Sequence, residues 1–87
     1  MASYKIEWKR SAAKELRTLP RDVVERILKA VEHLSIEPYP SGVRKLVGAV
    51  HTYRIREGNY RVIYTVTASS LVIEIIRVGH RKGVYDR

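Results

Sequence analysis

The chain has 87 residues, with 17 Lys and Arg against 9 Asp and Glu, a formal charge of +8. That length makes one small domain, residues 1–87, with a single core that is feasible without staples. The absence of cysteine excludes a disulfide framework and thiolate chemistry and fits a reducing cytoplasm, while scattered His33, His51 and His80 show no metal-ligand spacing, so neither a metal nor a cofactor is expected.

Tyr4 to Trp8 alternates Tyr4, Ile6 and Trp8 against Lys5 and Glu7, the pattern of a half-buried strand, and no apolar secretory segment precedes it. Ser11 can cap a helix over 12–18, carrying Leu16. Pro20 suits the first turn of a second helix reaching Leu34. In that helix Val24, Ile27, Leu28, Val31 and Leu34 form one apolar stripe. Glu25 and Lys29 sit at the spacing of a favourable ion pair on its wet side. The short break between the helices predicts a hairpin lying over one face of a sheet.

Glu37 to Gly42 holds two prolines and a glycine and reads as a loop. Residues 43–48 lead into three strands at 50–56, 60–67 and 71–78, an antiparallel meander. The last is almost continuously apolar, which predicts a central strand covered on both faces; Glu74 breaks its apolar run, so no membrane span is expected. The predicted class is α+β: an N-terminal strand, a two-helix hairpin and a small antiparallel sheet ending in a three-strand meander.

The meander carries the functional signal. Alternating runs meet at Gly58-Asn59, a hairpin signal. A two-residue loop there sets Glu57 opposite Tyr60, Arg56 opposite Arg61 and Arg54 opposite Ile63. Three guanidiniums then share one face, while Tyr53, Ile55, Tyr60 and Val62 share the other. Like charges set opposite each other destabilise a sheet, so an anion is the expected occupant. Six of the seven basic residues from 49 onward are arginine, the planar donor suited to phosphate. A positive charge of this size favours a polyanion such as nucleic acid. The turn after residue 67 leaves two registers. A Ser69-Ser70 loop sets Ile76 opposite Ile63; a loop over 68–70 sets Arg77 beside Arg61, with Arg81 on the same side. The second is preferred because it assembles one basic face.

The strand–helix–helix start, Arg44-Lys45-Leu46-Val47-Gly48, Tyr53-Arg54-Ile55-Arg56, Gly58-Asn59-Tyr60-Arg61-Val62-Ile63-Tyr64 and Val78-Gly79-His80-Arg81-Lys82-Gly83-Val84-Tyr85 resemble, in order and spacing, the RelE branch of the RelE/ParE toxin superfamily. The resemblance implies a metal-independent, ribosome-dependent endoribonuclease that cuts mRNA in the A site. It also implies a RelB-like antitoxin partner, mRNA and rRNA contacts, and no membrane. The family's functional positions fall on Arg54, Arg56, Arg61, Arg81 and Tyr85. Cleavage of this kind uses the substrate 2′-hydroxyl as nucleophile and leaves a 2′,3′-cyclic phosphate and a 5′-hydroxyl. Arg61 and Arg81 suit the charge that develops on the phosphorane oxygens. Arg54, Arg56 and Arg77 suit backbone phosphates. Some family members carry lysine at the positions of Arg54 and Arg56; arginine does not serve as a proton carrier, which leaves His80 and Lys82 as rival bases. Tyr85 can stack on an unpaired base or clip the tail to the sheet. Two alternatives stand beside the nuclease: a ParE-like poison of DNA gyrase without RNA chemistry, and an inactive homologue.

Overall fold

The computed structural model describes residues 3–80. In chain order the elements are β1 (Lys5–Trp8), α1 (Arg10–Arg17), α2 (Arg21–Leu34), β2 (Arg44–Lys45), β3 (Thr52–Glu57), β4 (Tyr60–Thr67) and β5 (Val72–His80). They form one five-stranded sheet in the order β1-β5-β4-β3-β2. The α+β class and the meander hold. The sheet is mixed, however, because β1 joins β5 in parallel, Ile6 beside Ile73 and Trp8 beside Ile75.

Both helices lie on one face. There Ala12, Val23, Ile27, Val31 and Leu34 meet Ile55, Val62, Tyr64, Val66, Ile73, Ile75 and Val78, all buried. Alternation along the strands accounts for the set: Val62, Tyr64 and Val66 are two apart, and their cross-strand partners Ile55, Val78, Ile75 and Ile73 point the same way.

Several sequence expectations are corrected at the helix ends. Ser11 is not a cap. Lys9 holds that position, donating to the Ile75 carbonyl at 2.9 Å and accepting from Ala13 at 3.0 Å. The chain therefore passes from the parallel ladder straight into α1, two residues earlier than a serine cap would allow. Pro20 precedes α2 as its N-cap instead of lying in its first turn. The apolar stripe of α2 uses Val23 in place of Val24, and Leu28 stays 44% exposed. Both stripes share Ile27, Val31 and Leu34, so periodicity alone could not choose between them.

The last hairpin departs most. Thr67 pairs with Val72, leaving a four-residue loop, and a bulge at Ile76 then shifts the register so that Arg77 faces Ile63 and Gly79 faces Arg61. The Ser69-Ser70 register holds from Thr67 to Tyr64, with the Leu71 N–H donating to the Ala68 carbonyl at 3.3 Å, and past the bulge neither expected pairing of Ile63 or Arg61 is observed. Yet the extra residue restores the parity that the favoured one required: Arg77 is on the Arg61 face, as a diagonal neighbour. β5 is internal to the sheet, but Glu74 and Ile76 are only half-buried. It is covered on one face, not two.

Candidate functional site

The Gly58-Asn59 hairpin has the expected register: Arg56 is opposite Arg61, and Arg54 is opposite Ile63. Gly58 has φ +63° while Asn59 has a negative φ, as a turn with glycine at its first central position requires. The face away from the helices therefore presents Arg54, Arg56 and Arg61 together, with Arg77 beside them. Arg44 joins from β2, directly opposite Arg54. The ladder thus holds two like-charge pairs, Arg44–Arg54 and Arg56–Arg61. Sequence reading missed Arg44 as a site residue, because a two-residue strand has no periodicity to read.

The five arginines are not equivalent. Arg54 and Arg61 are buried, at 6% and 8% exposure, whereas Arg44 and Arg56 are exposed. Arg77 is held by a carboxylate: its Nε donates to Glu15 Oε2 at 3.2 Å, and the other oxygen of Glu15 accepts the Val78 backbone N–H at 2.8 Å. Glu15 comes from α1 and covers the edge of β5 that β1, which pairs only with Val72 to Ile75, leaves open.

His80 is not brought to this face. It pairs with Tyr60 and stacks edge-on against its ring at 5.5 Å, on the side of Val62 and Val78. As a candidate base it is separated from Arg61 by the thickness of the sheet. Arg81, Lys82 and Tyr85 lie outside the described residues.

Around the edge of β3 the basic surface continues into a cleft of about 780 Å³ between α2 and the sheet. Its helix wall carries Arg26, Lys29 and His33; its strand wall carries Arg44, Arg54 and Arg56, and its carboxylate is Glu57. β2 pairs with β3 only at Tyr53 and Arg54, so the edge from Ile55 to Glu57 opens onto this space. Lys29 lines the cleft and makes no ion pair with Glu25, contrary to the expectation from their spacing. Among the described residues the only ion pairs are Lys5–Glu7 and Arg77–Glu15.

The rim of the cleft, Pro40 to Gly42, is tied to the sheet by tyrosines. Tyr64, fully buried, donates its hydroxyl to the Pro38 carbonyl at 2.6 Å. Tyr39 packs edge-on against Tyr53, centroids 5.0 Å apart. Burial pushes the Tyr64 phenol well above the ordinary tyrosine range, with the neighbouring Tyr39 and Tyr53 adding to the shift. Tyr39 is raised too, by burial first and then by its neighbours Tyr53 and Tyr4.

A family profile described as "ParE toxin of type II toxin-antitoxin system, parDE" matches residues 6–85. Toxin RelG of Mycobacterium tuberculosis is 31% identical, over 97% of this chain and 98% of its own. Toxin RelE3 of Methanocaldococcus jannaschii is 30% identical, over 94% and 96%. Among solved structures, the archaeal RelE–RelB complex from Pyrococcus horikoshii OT3 matches with TM-score 0.82 and 34% identity, covering 92% of this chain and 97% of that one.

Proposed function

The chain belongs to the ParE toxin family of type II toxin–antitoxin systems, in its RelE-like branch, and on that premise we propose that it is a ribosome-dependent endoribonuclease neutralised by a RelB-like antitoxin. The observation that carries the nuclease reading is the Arg56–Arg61 pair, set opposite each other with Arg54 on the same strand face. A sheet gains nothing in stability from such an arrangement. A phosphodiester placed over it gains fixed charge without reorganisation.

In this reading the attacking group is the substrate's 2′-hydroxyl. It displaces the 5′-oxygen of the next nucleotide, giving a 2′,3′-cyclic phosphate and a 5′-hydroxyl. Arg61 stabilises the charge gained by the phosphorane oxygens, and Arg81 supplies a second guanidinium to the same centre. Arg54, Arg56 and Arg77 hold flanking phosphates, with Lys82 as a further RNA contact; His80, on the opposite side of the sheet, drops out of the site. Tyr85 stacks on an unpaired base. The antitoxin proposal is supported by the RelE–RelB complex among the structural relatives.

The test is cell-free translation of a defined mRNA, with cut sites mapped by primer extension. Wild-type protein is expected to cut within the translated region. The Arg61→Ala/Arg81→Ala double variant is expected to cut at least about 100-fold more slowly, the loss typical of removing an oxyanion-stabilising donor. Undiminished cutting by that variant rejects the site. The family profile's ParE designation favours one second reading, a gyrase poison. Intact mRNA together with inhibited DNA supercoiling would decide for it.

A further inference from the structure

The loop between α2 and β2 has no part in the proposed cleavage, yet Ser41 on it carries the one hydroxyl among the described residues that line the cleft. We propose that Ser41 is a phosphorylation site, modified by an ATP-dependent protein kinase, and that its phosphate docks onto the cations of the cleft and shuts off the Arg56–Arg61 face. The shut-off rests on the nuclease reading; the modification and its docking do not.

Ser41 stands at the corner of a tight turn. The Val43 N–H donates to the Pro40 carbonyl at 3.0 Å, and Gly42 has φ +87°, as a turn with glycine at its second central position requires. The Tyr64–Pro38 hydrogen bond and the Tyr39–Tyr53 ring contact hold the chain just ahead of it. The corner is therefore fixed, and Ser41 and Gly42 are exposed. Other hydroxyls are already engaged: Thr18, Ser35 and Thr52 donate to the carbonyls of Glu15, Glu32 and Val50. The Ser41 hydroxyl has no such partner among the described residues.

Around that corner stand cations without carboxylate partners. Arg26 and Lys29 line the cleft from one side of α2, Arg44 and Arg56 from the strands. None of the four is ion-paired among the described residues. A phosphoserine carries a charge of about −2 and three strong acceptor oxygens, and opposite an arginine cluster it forms new charge-assisted hydrogen bonds. Tethered to the turn, it is present at high effective concentration without an association cost. In the modifying step the Ser41 Oγ attacks the γ-phosphorus of kinase-bound ATP. The bond from that phosphorus to the β–γ bridging oxygen breaks, ADP leaves with the electron pair, and the hydroxyl proton passes to a base of the kinase. Arg56 belongs both to this cleft and to the pair with Arg61. A docked phosphate therefore occupies a cation of the proposed RNA site and places negative charge beside it.

The experiment first incubates the full-length protein with radiolabelled ATP and extract of its source cells. Label is expected on wild type and lost in Ser41→Ala; equal labelling of the two, or none on wild type, overturns the modification. Docking is read by phosphorus NMR on protein with phosphoserine inserted co-translationally at position 41. Protein with phosphoserine at Ser70, in the exposed turn after β4, is the control. The second ionisation of the phosphate at 41 is expected about 1 pH unit below that at 70, because nearby cations favour the dianion. Arg26→Gln/Lys29→Gln, at exposed helix positions, is expected to remove most of that difference. Equal midpoints, or a difference that survives the double variant, overturn the docking. In cell-free translation the phosphate at 41 is expected to slow mRNA cutting at least about tenfold and the phosphate at 70 to leave it unchanged. Cutting that ignores the phosphate at 41 overturns the shut-off. Unmodified protein that cuts no mRNA rejects the nuclease reading and leaves the labelling and NMR results standing, so the two failures are distinguishable.

Discussion

Tyr64 joins the core to the cleft through a single atom. Its ring is fully buried under α2, while its hydroxyl donates to the Pro38 carbonyl, 26 residues back in the chain. Tyr64→Phe keeps the ring and loses the bond, leaving a carbonyl to find another donor; the expected cost is about 1 kcal/mol. The same residue gives the protein an alkaline limit. The folded phenol titrates above the unfolded one, so its contribution is fully present below the ordinary tyrosine pKa, about 10. It is lost as pH rises through the interval between the unfolded and folded values. Melting curves at pH 8 and pH 10.5 are expected to show wild type losing more stability than Tyr64→Phe over that step. An equal drop in both would mean that the phenol is not the titrating group. At this scale the sequence was uneven. Arg54, Arg56 and Arg61 were legible because alternation and a glycine turn set their register. Arg26 and Lys29 were not, because a helix cation looks the same whether it meets solvent or a cleft, and the Glu25–Lys29 spacing pointed to a pair that does not form.

Among the elements, β5 shows how a local irregularity decides what a strand presents. The loop before it is one residue longer than the preferred reading, with Leu71 at φ +56°, a conformation that an L-residue other than glycine, asparagine or aspartate rarely adopts. No glycine or asparagine marks that place, so the length was not legible beforehand. The bulge at Ile76 then returns Arg77 to the Arg61 face; had the pairing of Val72 to Ile75 simply continued, Arg77 would have turned toward the helices. Glu15 holds the strand just past this point, one oxygen on the Val78 amide and the other on Arg77. Glu15→Ala is expected to cost about 1.5 kcal/mol, the lower end for a hydrogen bond to a charged acceptor, since the group is partly exposed. Amide exchange should quicken mainly from Arg77 to His80, while Ile73 and Ile75 keep their protection. Glu15→Gln, which can still accept from the amide, is expected to recover most of the loss. Uniform loss of protection along β5, or no rescue by glutamine, would show that Glu15 acts on the core as a whole and not on this edge.

Across the whole molecule, the charge of +8 is arranged against stability. The sheet sets Arg44 opposite Arg54 and Arg56 opposite Arg61, and among the described residues the neighbouring cleft is lined by five cations and one carboxylate, Glu57. The apolar core on the helix side bears that repulsion. Removing one cation should then stabilise the fold while weakening its hold on RNA, the usual opposition between a built site and its scaffold. Arg56 is the place to ask, because it is exposed and its replacement opens no cavity. Arg56→Gln is expected to raise unfolding free energy by about 0.5 kcal/mol at low salt, within the range for a directly opposed pair. Raising salt from about 10 mM to about 150 mM shortens the screening length from about 30 Å to about 8 Å, so the gain should shrink. Binding of a fluorescent, fully 2′-O-methylated RNA, which cannot be cut, should weaken in the same variant, with a shallower salt slope. Urea titrations at the two salt concentrations, read beside the RNA titration, separate the terms. A variant that is less stable than wild type at low salt, or one whose gain ignores salt, would show that Arg56 contributes packing through its aliphatic stem and not repulsion through its charge.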